Sequence, residues 1–382
     1  MTVDTKNTKT IIVVGAGVFG VSAANHLYRE LDGTTYKIKL ITPSDYVYFL
    51  PSAVRLMMSK DYSSSILPLK KVLDDGVQVI KDKVASFNPK DLVLESGEVE
   101  EFDVLIIATG SKWPDPISST CEFRDDYKTH FEKEASRIAD ANHILFVGGG
   151  FVNCEIVGEL IYKYKDEIRS GKKSISIIHN SDKLLPNSGL YGDTLREKVT
   201  NHLLDHGIKL YLNTVGTFSD ITPNRIIFSE SALDHVDADL IYKGVGISPN
   251  VPLNSISNLC DNRGFIQVER NFQVKAIEKG NIFAIGDVTN FRYHGLFKRD
   301  NWVDVLTRNV IGFLNEGSKA NLINASSYES GHAPSGVSLG PNVGFGQLPV
   351  PLLGTFNLPS FLVARAKSKN LLSDKMESLF KN

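Results

Sequence analysis

TIIVVGAGVFG, residues 10–20, is an apolar, β-branched run that stops at a G-x-G-x-x-G turn. The run suits a strand buried on both faces. VSAANHLYREL follows, with apolar positions at helical spacing. Strand, glycine turn and helix therefore come in the order a dinucleotide loop requires. Gly15 permits the tight turn, Gly17 lets the backbone approach a pyrophosphate, and Gly20 lets helix and strand pack closely. The helix start offers unpaired N–H groups and a positive dipole end to phosphates. The next strand, YKIKLIT, ends at Thr42 where an acid for the adenosine ribose is expected, and Asp45 stands three residues late.

The same grammar returns in HILFVGGGFVN, residues 143–153. Gly148, Gly149 and Gly150 make the turn, and an amphipathic helix follows. Asn153 occupies the place of the third glycine. That place serves helix–strand packing and not phosphate contact, so a larger side chain is expected to push the helix outward slightly and weaken cofactor affinity without abolishing it. Two such loops suit an enzyme that passes electrons between a held and an exchangeable dinucleotide. The strand SISIIHN ends in His179, followed by Asn180, Ser181, Asp182 and Lys183. No carboxylate stands at the strand end to repel a 2′-phosphate, which leaves NADH and NADPH both open.

Two more apolar strands end in small or acidic residues. FDVLIIATGSKW, residues 102–113, ends in Ala108, Thr109 and Gly110; GNIFAIGD, residues 280–287, ends in Gly286 and Asp287. An acid at such a strand end can accept hydrogen bonds from ribitol hydroxyls, and Gly286 lets the chain come close to a flavin diphosphate. Asp287 also reads as a helix or turn cap.

In that order, GAGVFG, ATGSKW, GGGFVNCE and AIGD resemble the two-dinucleotide-binding flavoprotein superfamily. Within it the chain resembles the apoptosis-inducing factor family, near its ferroptosis-suppressor branch and the type II NADH:quinone dehydrogenases. The likeness spans nearly the whole chain, including IFAIGDVTNFRYHG and GHAPSGVSLGPN. It implies FAD contacts at Gly15, Ala16, Gly17, Val18, Phe19 and Gly20, at Arg55 near the diphosphate, at Val84 near adenine and at Asp287, and it sets Glu155 beside the nicotinamide and flavin rings; by pattern alone Arg55 reads as a surface arginine and Val84 as a plain strand residue. The residue pattern itself adds Thr109, Gly110 and Gly286 to the flavin site, and Gly148, Gly149, Gly150 and His179 to the NADH or NADPH site. By residue pattern alone Glu155 is equally a first-turn acid favoured by the helix dipole.

The implied architecture is α/β: two doubly wound Rossmann-like nucleotide-binding domains and a small C-terminal α+β domain. Residues 1–116 and 248–316 form the FAD domain, 117–247 the inserted NAD(P)H domain, and 317–382 the third. KRDNWVDVLTRNVIGFL, residues 298–314, is expected to be a helix aimed at the flavin. YVYFLPSAV, residues 46–54, borders flavin and quinone in similar dehydrogenases, and reads equally as a hydrophobic loop packed on the FAD domain. The tail from residue 358 is amphipathic, with Arg365, Lys367, Lys369, Lys375 and Lys381 against Asp374 and Glu377. Peripheral membrane contact through this tail is one reading; a solvated helix packed on the third domain is the other.

Bulk properties narrow the function. The 382 residues suffice for two or three domains. A net charge of −2 gives no electrostatic case for nucleic acid. Cys121, Cys154 and Cys260 lack the spacing of a zinc site or redox dithiol, and no metal is expected. There is no signal-peptide core, no glycine for myristoylation at residue 2, and no apolar run long enough for a membrane span. The expected activity is FAD-dependent NAD(P)H oxidation with a quinone-like acceptor, or slowly oxygen. The resemblance adds a pro-apoptotic role and mitochondrial residence with nuclear relocation. A redox-sensing death-signalling flavoprotein of little turnover is the alternative, and a reductase of a small protein partner a third reading. Oligomeric state is left open.

Overall fold

The computed structural model describes residues 8–59, 61–63, 65–117, 124–219, 224–228, 234–244, 246–326 and 331–381. Cys121 lies outside them. Two parallel sheets organise the chain. In the first, the strands run Ile282–Ala284, Val104–Ile107, Lys9–Val14, Tyr36–Ile41 and Gln78–Ile80 across the sheet. Ile11 pairs with both Ile38 and Val104, and Ile282 pairs with Leu105. A strand from residue 282 thus completes a sheet begun at residue 9. Ile11, Ile12 and Val13 are fully buried, as a strand covered on both faces requires.

The second sheet runs Lys209–Tyr211, Ser174–Ile178, His143–Val147 and Leu240–Lys243, again parallel. In each sheet the glycine-loop strand is central, so its loop opens where neighbouring strands diverge to opposite sides. This is the crevice that binds nucleotides in open α/β sheets. Smaller antiparallel sheets flank both units. A third unit holds the strands Ser335–Ser338, Gly344–Val350 and Gly354–Leu358.

The helix expected from residue 298 spans Arg299–Glu316. The tail departs from a single amphipathic helix. It breaks into Ser360–Val363, a π-helical turn Ala364–Ser368, a short 3-10 turn and a last helix, Met376–Lys381. Leu371 and Leu372 adopt left-handed backbone, which no continuous helix allows. Leu371, Met376 and Phe380 are buried, and the last helix packs on Val18–Glu30 of the first unit, not on the third. The carbonyl of Phe380 accepts a hydrogen bond from Asn25. The end of the tail is therefore engaged by the fold, while Phe361 and Leu362 at its start are exposed.

Candidate active site: two glycine loops and a C-terminal clamp

The two loops have one backbone conformation. Gly15 has φ +105° and Gly148 φ +100°. The residues that begin the helices, Gly17 and Gly150, have φ, ψ of −78°, −177° and −74°, 174°, and no side chain caps either helix. A Cβ on Gly15 would lie 2.5 Å from the Ala108 carbonyl oxygen, and one on Gly148 2.3 Å from that of Gly244. Only glycine fits at these crossings. At Gly17 and Gly150 a Cβ would meet nothing within 4 Å. Backbone is thus bare on the side from which a diphosphate approaches.

The loops differ where the sequence differs. A Cβ on Gly20 would lie 1.9 Å from the Gly15 carbonyl oxygen and 3.3 Å from the Ala108 Cβ. Asn153 carries a real Cβ at the equivalent place, and its buried amide donates to the Gly148 carbonyl at 2.7 Å. The partner that makes room is Gly244, whose Cβ would lie 2.1 Å from Asn153 Nδ2. The small residue has moved from helix to strand end.

Around the first loop, the structure brings together the residues singled out in sequence. Gly286 has φ +83°, and a Cβ there would lie 3.0 Å from the Phe19 ring. Asp287 is half-buried and accepts a 3.0 Å hydrogen bond from Ser111 Oγ, a residue the motifs did not mark. Burial pushes the Asp287 carboxyl up, against His294 and Ser111, which favour its ionised form. The Thr109 hydroxyl is buried without a partner, and Gly110 beside it has φ +67°. A carboxylate with acceptor capacity left, an orphaned hydroxyl and an uncapped helix start fit a ligand with hydroxyls and a diphosphate.

At the second loop, the Gly149 N–H donates to His179 Nδ1 at 3.1 Å. That bond places the ring proton on Nε2, which is buried without a partner. Burial also pushes the imidazole pKa down, so the ring is neutral near pH 7. Cys154 beside the loop is fully buried and its thiol is pushed far up, which excludes a thiolate there.

One face of the helix Phe151–Lys163 meets the C-terminal segment. Glu155, 6% exposed, accepts hydrogen bonds from Ser338 N at 3.0 Å and from Lys367 Nζ at 2.5 Å. Lys367 also donates to the Gly336 carbonyl. At Gly158 a Cβ would lie 2.4 Å from Leu339 Cα, so helix and strand touch backbone to backbone. Glu159 forms a two-pronged pair with Arg55, at 2.9 and 2.6 Å, and Arg55 also donates to the carbonyls of Ser368 and Lys369. Glu155 and Glu159 are one turn apart, which puts both ion pairs on one face.

The Arg55 guanidinium holds the π-helical tail to the second unit through Glu159 and the carbonyls of Ser368 and Lys369. Burial pushes the Glu159 carboxyl up and Arg55 counters that. Val84 begins a strand of the flanking sheet, opposite Leu94. The aromatic stretch after the second strand packs inward: Phe49 is fully buried, and Tyr48 lies 4.6 Å from the Tyr127 ring centre. Lys367, Ser111 and Gly244 escaped the sequence reading because their partners are remote in the chain.

The profile of one family, pyridine nucleotide-disulphide oxidoreductase, matches residues 9–309. The chain belongs to the pyridine nucleotide-disulphide oxidoreductase family. Apoptosis-inducing factor 1 of Saccharomyces cerevisiae is 71% identical over 377 residues, 99% of this chain and 100% of that protein. That places this oxidoreductase on the apoptosis-inducing factor branch. Ferroptosis suppressor protein 1 of Taeniopygia guttata is 25% identical, over 96% of this chain and 94% of its own. Among solved structures, the sulfide:quinone oxidoreductase of Aquifex aeolicus has a TM-score of 0.77 at 17% identity, covering 98% of this chain and 92% of that one. NDH2 of Plasmodium falciparum in complex with NADH has a TM-score of 0.69 at 16% identity, covering 98% and 97%. Both show the same two-unit Rossmann-type fold. The cofactors of this family member are FAD and NADH or NADPH.

Proposed function

We propose that the chain is an FAD-dependent NAD(P)H oxidoreductase with a quinone-like electron acceptor, acting in a pro-apoptotic setting. The observation that carries the reading is the duplicated loop: two glycine turns of one conformation, each at the centre of its own parallel sheet. When bound, FAD supplies the two-electron redox chemistry. The loop from Gly15 through Ala16, Gly17, Val18 and Phe19 to Gly20 would hold its diphosphate, with Thr109, Gly110 and Gly286 lining the approach and Asp287 accepting from polyol hydroxyls. The backbone of Val84 would serve adenine. Gly148, Gly149 and Gly150 would hold the nicotinamide dinucleotide, with His179 Nε2 as a donor to it. Glu155 would orient the nicotinamide, its own carboxylate fixed by Lys367 and Ser338. The acceptor assignment draws on the resemblance to quinone-reducing dehydrogenases and on one structural neighbour named a sulfide:quinone oxidoreductase, and residence in the mitochondrion with relocation to the nucleus draws on the resemblance to the apoptosis-inducing factor family.

Purified protein is expected to be yellow and to bleach with NADH under anaerobic conditions, and a soluble quinone should then sustain turnover. Colourless protein that yields no flavin on denaturation would overturn the reading. The 71% relative's name favours one alternative, a redox-sensing death signal. Bleaching by NADH with near-zero quinone turnover would select it.

A further inference from the structure

The hairpin of Gly344–Val350 and Gly354–Leu358 ends in an apolar knob. Leu348 and Phe356 are direct cross-strand partners and both are exposed. They lie on the same sheet face as Gly346, against which Val363 packs. Val363 belongs to the short helix Ser360–Val363, which turns Phe361 and Leu362 outward. At the hairpin tip Leu352 is 105% exposed and Leu353 71%, and Phe361 on the helix is 69% exposed. Leu352 also holds φ +66°, a conformation that glycine or asparagine adopts with less strain. A leucine kept in a strained turn and thrust fully into solvent is poor use of an apolar side chain unless something covers it.

Charge says what kind of partner that is. No Asp or Glu occurs between Gly331 and Ser373, whereas Arg365, Lys367 and Lys369 do. Lys367 is held by Glu155, but Arg365 and Lys369 are exposed. We propose that this hairpin knob is a lipid-docking wedge that inserts into the interface of an anionic bilayer, with Arg365 and Lys369 among the headgroups. A second copy of the chain fits worse, because a twofold contact through this patch would oppose like cations. A rigid protein surface also fits worse, because the knob is convex and its tip is two leucines on a turn. A fluid interface deforms around such a shape, and aliphatic insertion with flanking bases is how peripheral proteins hold anionic membranes. Among the described residues no helix is long and apolar enough to cross a membrane, so the contact would be peripheral. The tail sequence suggested membrane contact; its end is buried at Leu371, Met376 and Phe380, and its exposed Phe361 and Leu362 join the hairpin in one surface. Nothing in this inference depends on the redox reading.

The test is vesicle flotation of the flavin-loaded protein, with phosphatidylcholine alone and with phosphatidylcholine containing phosphatidylglycerol. Wild-type protein should float with the anionic vesicles at low ionic strength and much less with the neutral ones. Leu352→Asn/Leu353→Asp, in which asparagine suits the left-handed turn, should cut partition about tenfold or more. Flavin content and melting temperature should hold, because both tip side chains are solvent-exposed. Arg365→Gln/Lys369→Gln should erase the preference for anionic lipid. The proposal is overturned if wild type floats with neither vesicle, if it floats equally with both, or if the leucine variant floats as well as wild type. It is also overturned by a concentration-dependent dimer that the leucine substitutions abolish in the absence of vesicle binding.

Discussion

Exchanging the small residue between Asn153 and Gly244 tests the account of the second loop. The variants are Asn153→Gly, Gly244→Ala and the two together. Asn153→Gly removes the 2.7 Å bond to the Gly148 carbonyl, which contributes about 1 kcal/mol net. Replacing asparagine by glycine in the first helical turn costs roughly 0.5 kcal/mol in helix propensity. The emptied space beside Gly244 costs about 1 more. The total is about 2.5 kcal/mol, or near 5 °C in melting temperature at roughly 2 °C per kcal/mol for a chain of this size. Gly244→Ala places a methyl group 2.1 Å from the Asn153 amide and should cost about 2 kcal/mol through overpacking. The double variant reproduces the Gly20–Ala108 pairing of the first loop, so alanine should fill the space that glycine empties. Its loss should be about 1.5 kcal/mol and not the additive value of about 4.5, a coupling of about 3. Urea unfolding followed by flavin fluorescence gives all three numbers. The apparent KM for NADH should rise a few-fold in each single variant and return towards wild type in the pair. This reverses the expectation from sequence that Asn153→Gly improves binding, because the amide anchors the loop carbonyl. Additive energies would refute the reasoning.

Three further outcomes are expected. Glu155→Ala should leave flavin content intact and slow reduction by NADH at least tenfold in stopped flow, with Lys367→Met giving a smaller slowing of the same step; reduction at the wild-type rate in both would leave Glu155 a structural acid. Arg55→Ala strands the buried Glu159 carboxylate and frees the tail carbonyls, so it should destabilise by about 3 kcal/mol and expose the 360–371 segment to limited proteolysis, read by mass spectrometry. Burial, with His206 nearby, holds the His202 imidazole at about 4, against Asp205, which raises it. The unfolded chain then binds more protons between pH 6.5 and 4, so this group's stability contribution is present above the unfolded value and lost as pH falls towards 4. His202→Gln should flatten that limb of the melting-temperature profile, and an unchanged limb would remove His202 as its source.

The sequence by itself determined both nucleotide loops, their strand–turn–helix context and the α/β class. Those features are local: a β-branched run, glycines at fixed offsets and apolar positions at helical spacing lie within some twenty residues and constrain backbone directly. It also put Gly286 and Asp287 at the end of a strand as legible as the first, and the fold sets Gly286 against Phe19 of the first loop. Long-range packing decided the rest. Only the fold set Glu159 and the carbonyls of Ser368 and Lys369 around Arg55. Glu155 could be matched to Lys367 only once the tail had folded back. Asn153 looked like a defect in the loop because Gly244, which makes room for it, lies on another strand. The tail read as an amphipathic helix, on a membrane or packed on the third domain, because its apolar spacing is helical, yet left-handed turns at Leu371 and Leu372 break it and send Phe380 into the first unit's core. Periodicity reports which residues share a face, but which surface covers that face is decided only when distant segments compete to bury it.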